Sequence, residues 1–150
     1  MQNNSHFDSQ CWIVSSARQR MEGYYDYFIL YVVPNERLIS LRTRSDMTGN
    51  FAYDEGPGKR WTCQEYLDLL ETPGEKVWYL ASGKAKLIFD LFQLSWFLPI
   101  IQRLGAGELV PYDEVNDLHQ KRFGKPLRLL PLSASNEYRE KFERELDYDY

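Results

Sequence analysis

The stretch Ser82–Leu104, SGKAKLIFDLFQLSWFLPIIQRL, decides how the rest of the chain has to fold. Its aliphatic residues recur at steps of three and four, the spacing of one helix face: Leu87, Leu91, Leu94, Leu98 and Ile101. Further apolar residues widen this stripe over most of the circumference. Because such helices lie inside a fold, the sequence predicts a buried central helix over residues 83–104.

This helix has signals at both ends and an interruption inside it. Ser82 is suited to cap the first turn, and Gly105 is suited to end the last one. Pro99 lacks an N–H group and crowds the turn before it. We therefore expect a kink or a split near Phe97–Leu98.

A membrane span is the alternative interpretation of the same stretch. The uncharged apolar run extends from Leu91 to Ile101 and is bounded by Asp90 and Arg103. It is well short of the roughly 20 residues that cross a bilayer. The sequence therefore favours a core helix and predicts no membrane span.

A small, mostly antiparallel sheet is predicted to pack on the central helix. Its best strand is residues 24–33 (YYDYFILYVV), and because both faces of this strand are largely apolar we place it centrally with both sides covered. Turn residues at Pro34–Glu36 return the chain as a more solvent-facing strand over residues 37–44. A strand is also expected near residues 11–16, with further candidates at residues 77–80 and 127–132.

Three peripheral helices complete the predicted α+β fold. Thr62 and Glu65 form a capping box at the start of a helix over residues 63–71. Proline and acidic residues at the start and basic residues at the end mark a helix over residues 111–123. The last helix is predicted over residues 136–146 from a single apolar stripe of Tyr138, Phe142 and Leu146.

The length of 150 residues fits a single domain, 1–150, and no repeat or linker divides it. We expect residues 1–10 to be frayed and residues 147–150 to form an acidic tail. Residues 45–60 contain three glycines and a proline without a sustained period. Irregular segments of this length are often functional, so this one is a candidate contact loop.

The charge and the cysteines narrow the class of protein. A formal net charge of -4 argues against a general nucleic-acid binder, which carries a basic surface. Two cysteines, Cys11 and Cys63, are too few for a disulfide scaffold and are expected to be reduced and half-buried. The first ten residues contain no signal-peptide pattern, so we predict a cytoplasmic protein.

The sequence contains no complete catalytic, cofactor-binding or metal-binding motif. Residues 56–60 (GPGKR) lack the first glycine and the final serine or threonine of a phosphate loop. His6 and His119 do not match a metal-ligand spacing. Cys63 stands in a first helical turn, which lowers a thiol pKa, but neither histidine is near it in the sequence. We therefore predict no catalytic residue, no metal and no cofactor, and we do not expect an enzyme.

Two alternative functions stay open on the sequence. One is an enzyme or small-ligand module with a pocket between the sheet and the central helix, lined by Asp26, Tyr27, Tyr31 or Cys63. The other is a nucleic-acid accessory protein that uses Arg42, Arg44 and the basic cluster Lys121, Arg122, Lys125 and Arg128. Cations in the last turn of a helix also stabilise that helix, which explains part of this cluster without nucleic acid.

The preferred hypothesis is a small acidic inhibitor, of the immunity-protein kind, that binds and masks a basic protein partner. Carboxylates steer and pair with lysine and arginine, and tyrosines supply contact area at a low entropy cost. The residues expected to meet the partner are Tyr53, Asp54, Glu55, Asp113, Glu114, Asp117, Glu140, Glu143, Asp147, Tyr148, Asp149 and Tyr150.

Overall fold

The computed structural model describes residues 10–45, 52–53, 60–72, 85–146 and 148. It confirms an α+β fold, in which one antiparallel sheet is covered by helices on both faces. The strands are β1 (Gln10–Met21), β2 (Tyr24–Val33), β3 (Leu38–Ser45), β4 (Ala52–Tyr53), β5 (Arg60–Thr62) and β6 (Arg128–Pro131). The helices are α1 (Cys63–Glu71), α2 (Ala85–Leu91), α3 (Leu98–Gly105), α4 (Tyr112–Phe123) and α5 (Asn136–Arg144).

Strand β2 lies in the middle of the sheet. The strand order is β4-β3-β2-β1-β6, and β5 also pairs with β3. The β1–β2 hairpin turns at Gly23, whose φ of +82° is a left-handed conformation that glycine adopts without strain. The predicted irregular segment 45–60 contains the short strand β4 and the first residue of β5, which pair with opposite ends of β3. Its other residues after Ser45, and the strand candidate at residues 77–80, lie outside the described ranges.

One face of the sheet carries the larger core. The inward side chains on this face come from alternate positions of three strands: Trp12, Val14, Phe28, Leu30, Val32, Ile39 and Leu41. Helices α1, α2 and α3 pack on them through Tyr66, Leu70, Phe89, Ile100 and Ile101. The segment predicted as the central helix therefore lies in the core, as its apolar composition predicts.

The opposite face carries a second, smaller core. Its sheet residues include Ile13, Ile29, Tyr31 and Leu130, and it is covered by Phe142 of α5 and the following Leu146. Both faces of β2 are therefore covered, which the two apolar faces of residues 24–33 predict.

The central segment differs from the predicted single helix. Helix α2 ends at Leu91, a 3-10 turn occupies Ser95–Phe97, and α3 begins at Leu98. Gln93, between the two helices, has a φ of +56°, which a right-handed helix cannot contain. Pro99 lies in the first turn of α3, where its missing N–H group costs no hydrogen bond. Helix α3 begins at Leu98, where the proline predicts a kink or a split. The two helices are separated by a turn and do not form one kinked helix.

The buried residues of the central segment differ in part from the predicted stripe. Phe89, Phe97 and Ile100 are at most 2% exposed, whereas Leu91, a member of the predicted stripe, is 39% exposed. Phe89 and Leu91 both lie in α2, so this helix turns Phe89 and not Leu91 toward the sheet. Leu94 and Ile101, which also belong to the predicted stripe, are buried beyond the turn. Within the ranges that the structure describes, no helix is long and apolar enough to cross a membrane.

The peripheral helices follow their end signals closely. Helix α1 has the predicted bounds and the predicted capping box, with Thr62 Oγ1 accepting from the Glu65 N–H at 3.0 Å and Glu65 Oε1 accepting from the Thr62 N–H at 2.8 Å. Helix α4 ends at Gly124, which is left-handed. Helix α5 stops at Arg144, two residues before its predicted end, although Leu146 is still buried.

Candidate functional site

A groove lies between α1 and α3. Its volume is about 200 Å³, and Leu67, Leu70 and Leu98 supply its apolar floor. Its rim consists of exposed polar side chains: Gln64, Asp68, Glu71, Lys86 and Gln102. We call this feature the α1–α3 groove.

The fold of α1 determines which side chains reach the rim. Tyr66 and Leu70, one turn apart, are buried in the larger core, so Asp68 and Glu71 point outward. Gly105 at the end of α3 allows the two helices to lie close together. A Cβ atom added there would lie 3.2 Å from Leu67 Cδ1, which is closer than an ordinary contact.

The acidic residues of α1 stand where helix electrostatics disfavour them. Asp68 and Glu71 lie in the last turn, at the negative end of the helix dipole, and α1 has no basic residue there. Helices α4 and α5 instead carry basic residues in their last turns. Two carboxylates at this end weaken α1 by about 0.3–1 kcal/mol each. Asp68 Oδ1 accepts a hydrogen bond from Gln64 Nε2 at 3.4 Å, one turn earlier in α1, which offsets part of this cost.

The basic residue on the rim is paired. Lys86 Nζ lies 3.2 Å from Asp90 Oδ1, four residues along α2. Both side chains are nearly half exposed, at 45% and 46%, so this pair adds little stability. It offsets the charge of Lys86, and the groove keeps the negative charge of Asp68 and Glu71.

Arg103 ties two other acids to α3. Its Nε atom donates to Glu108 Oε2 at 2.6 Å, and its terminal nitrogens donate to both carboxylate oxygens of Glu114. The hydrogen bonds from Arg103 hold the pKa of Glu114 below its usual value. Glu114, a predicted partner-binding residue, thus already has a cation from its own chain.

The structure separates the other residues expected to meet a partner. Asp113 and Asp117 are exposed on α4, and Glu140 is half-buried on α5. Glu143 is 0% exposed and Tyr148 is 5% exposed, so the prediction of a solvent-facing role for these two is wrong. For Tyr53 the structure describes the backbone position in β4, and Asp54, Glu55, Asp147, Asp149 and Tyr150 lie outside the described residues.

Glu143 is instead the centre of a buried polar cluster between α5 and the sheet. The Tyr31 hydroxyl donates to Glu143 Oε2, and Arg42 Nη2 lies 3.4 Å from Oε1. The Tyr148 hydroxyl donates to the Glu143 backbone oxygen at 3.4 Å. Burial and the neighbouring carboxylate of Glu143 raise the pKa of Tyr31, so its hydroxyl stays protonated as a donor. This arrangement fixes α5 on the sheet.

The side chains of the alternative enzyme pocket do not come together. Tyr27 and Tyr31 belong to the smaller core, whereas Asp26 alternates with them on β2 and Cys63 is in the larger core. The sheet therefore separates the two tyrosines from the other two groups.

The two cysteines are free and buried, Cys11 at 3% and Cys63 at 0% exposure. Burial raises the pKa of each thiol from 9.0 to about 11, so neither is a thiolate at neutral pH. We expect both to be unreactive to a thiol reagent in the native protein and to react once it is unfolded. Rapid labelling of the native protein would contradict this burial.

The same raised pKa values predict alkaline destabilisation. Between pH 9.0 and about 11 the thiols lose their protons in the unfolded chain but keep them in the folded protein. The free energy of unfolding is therefore unaffected by these thiols below pH 9.0 and falls as the pH rises through this interval. The expected loss is up to about 3 kcal/mol per thiol. Urea unfolding across this interval measures it. The loss should shrink in a Cys11→Ala/Cys63→Ala variant.

The basic cluster near α4 is divided among different contacts. Lys121 and Arg122 are exposed, but Lys125 Nζ donates to the Tyr148 backbone oxygen at 3.3 Å and Arg128 Nη2 donates to Ser15 Oγ at 3.1 Å. Arg42, which the nucleic-acid hypothesis also needs, contacts the buried Glu143. The cluster therefore does not form one solvent-facing basic surface.

His119 is buried on α4. Its ring packs against Trp96 and Phe123, and its Nδ1 atom lies 2.7 Å from the Lys125 backbone oxygen. Among the residues that the structure describes, no three histidine, cysteine, aspartate or glutamate side chains are grouped so that they could hold a metal ion.

Asp68 and Glu71 are not among the contact residues that the sequence predicts. Their signal was present: two acids close a helix that has no basic residue in its last turn.

A scan of protein-family models, a search of curated proteins and a search of solved structures found no match to this chain.

Proposed function

We propose that this protein is a non-enzymatic interaction module that binds and masks a basic protein partner through the α1–α3 groove. The observation that carries the proposal is the pair Asp68 and Glu71, which stand beside an apolar floor and against the helix dipole. Exposed carboxylates next to an apolar depression suit a contact that combines charge steering with an apolar anchor.

The shape and charge of the groove favour one kind of occupant. A volume of about 200 Å³ is below the range of pockets for drug-sized ligands and suits one large side chain. The two carboxylates suit lysine or arginine residues on either side of that chain. The occupant is therefore a protein segment in which basic residues flank an apolar one.

The most concrete form of this proposal is a small inhibitor of the immunity type. The net charge of -4 favours association with a basic protein. Two free, buried thiols suit a reducing compartment, and we place the protein in the cytoplasm.

Affinity capture from source-cell extract with a charge-matched control tests the proposal. The bait is the native protein or an Asp68→Lys/Glu71→Lys variant, and the control is Asp113→Lys/Asp117→Lys, which changes the net charge equally. We expect the native protein and the control to retain a basic protein at low salt and to release it at about 0.5 M salt. The groove variant should bind at least about tenfold more weakly, because it loses two attractive charges and gains two repulsive ones.

Two results would contradict the proposal. One is a failure of the native protein to retain any basic protein at low salt. The other is equal loss of binding in both double variants, which would make net charge and not the groove responsible.

A further inference from the structure

A second cleft lies on the opposite face of the sheet, between α5 and the end of the β2–β3 hairpin. Its volume is about 80 Å³. Its polar lining residues are Arg60, Arg139, Glu36 and Ser40, and its remaining walls are Cys11, Tyr31, Val33, Leu38, Ile39 and Leu132. We call this feature the arginine cleft.

Strand register brings the two arginines to the same place from different parts of the chain. Arg60 on β5 is opposite Ser40 on β3, and Ser40 is opposite Tyr31 on β2. The guanidinium of Arg139 lies over the Tyr31 ring, 5.2 Å from its centroid. The strand pairing therefore brings Arg60 to the cleft from the sheet, and α5 brings Arg139 to the same cleft.

The positive charge of this cleft is incompletely balanced. Within the described part of the chain, the Arg139 Nε atom is buried and makes no hydrogen bond. Among the lining residues Glu36 is the single acid, so two guanidiniums and one carboxylate leave a net charge of one positive unit. Cys11 lines the cleft together with Arg60, Arg139 and Glu36, so the three charges surround one point. A buried donor without a partner is costly unless a ligand or a water molecule accepts its hydrogen bond.

Size and charge together define the ligand. A cleft of about 80 Å³ has room for two or three water molecules at about 30 Å³ each, so it is too small for a nucleotide. One negative charge would balance it, and guanidinium groups pair with planar carboxylates through two parallel hydrogen bonds. Glu36 disfavours a doubly charged ion such as a phosphate.

We propose that the arginine cleft binds the carboxylate group of a small organic acid, held by Arg60 and Arg139. This site is independent of the α1–α3 groove, because it lies on the other face of the sheet and does not require a protein partner.

Acetate is the probe that tests the site, at constant ionic strength and with the arginine Nε–H resonances observed by NMR. We expect the Arg139 Nε–H signal to shift saturably with a dissociation constant in the millimolar range. Acetamide, which has the same shape without the charge, should cause no saturable shift. Arg60→Gln should weaken acetate binding about tenfold or more, because it removes a charge-assisted hydrogen bond.

Two further variants separate binding from a structural effect. Glu36→Gln should tighten acetate binding a few-fold, since it removes a repulsive charge and no contact in the core. Lys141→Gln, on the exposed side of α5, should leave binding unchanged. Amide spectra of each variant establish that it is folded. The proposal is overturned if acetamide or added chloride causes the same shift, if Arg60→Gln binds acetate normally, or if phosphate binds more tightly than acetate.

Discussion

Replacing Glu143 by alanine is expected to lower the free energy of unfolding by about 3–5 kcal/mol, because removing one partner of a buried ion pair leaves the other without compensation. The Glu143 side chain is 0% exposed and accepts a hydrogen bond from the Tyr31 hydroxyl. It also forms an ion pair with Arg42, whose side chain is 12% exposed. The cost includes the loss of the contacts that hold α5 on the sheet. Urea unfolding followed by tryptophan fluorescence measures it.

The control for this prediction is Glu140→Ala on the same helix. Glu140 is half-buried and outside the cluster, so its removal should change stability by no more than about 0.5 kcal/mol. Tyr31→Phe removes one hydrogen bond to the carboxylate and should cost about 1.5–3 kcal/mol in the native protein and clearly less in the Glu143→Ala variant. If Glu143→Ala behaves like Glu140→Ala, the buried cluster does not stabilise α5.

Replacing Phe97 by alanine is the second substitution with a large expected effect. Phe97 is 0% exposed in the 3-10 turn before α3, and its ring meets Trp12 of β1 edge to face at 6.5 Å between centroids. Removing a buried phenylalanine costs about 3–5 kcal/mol through lost burial and the cavity left behind. This is a large part of the roughly 5–15 kcal/mol that stabilises a typical domain, so the variant should be measured at low temperature.

Leu91→Ala provides the matched comparison. Leu91 belongs to the stripe that the sequence predicts to be buried, yet it is 39% exposed at the end of α2. We expect its truncation to cost less than about 1.5 kcal/mol. Equal costs for Leu91→Ala and Phe97→Ala would indicate that Leu91 is buried, contrary to the structure.

The elements that the sequence predicts well are those with local signals. The capping box at Thr62 defines the start of α1, and the aromatic and β-branched run of residues 24–33 defines β2. Both signals are carried by the residues that form the element. The turn at Gln93 has no such signal, because its left-handed residue is neither glycine nor asparagine. Residues of α2 and α3, on either side of this turn, pack into the same core against the sheet, and a linear pattern does not record that packing.

The candidate site was harder to predict for a related reason. On α5 the sequence suggests a buried stripe that includes Tyr138, but Tyr138 is 54% exposed and Glu143 is buried in its place. A glutamate faces inward here because Tyr31 and Arg42, distant in the chain, meet it from the sheet. Only the strand register reveals such partners. The α1–α3 groove combines α1 with α3 across a turn, so its apolar floor was likewise invisible in the sequence.

Zero-length carbodiimide crosslinking of the captured complex, read by mass spectrometry, tests the central claim most directly. The reagent joins a carboxylate to a lysine amine when the two are in contact. The proposal predicts crosslinks from Asp68 or Glu71 to lysines of the basic partner, and their loss at about 0.5 M salt. Crosslinks confined to other acids, such as Asp113 and Asp117 on α4, would contradict the assignment of the α1–α3 groove as the contact surface.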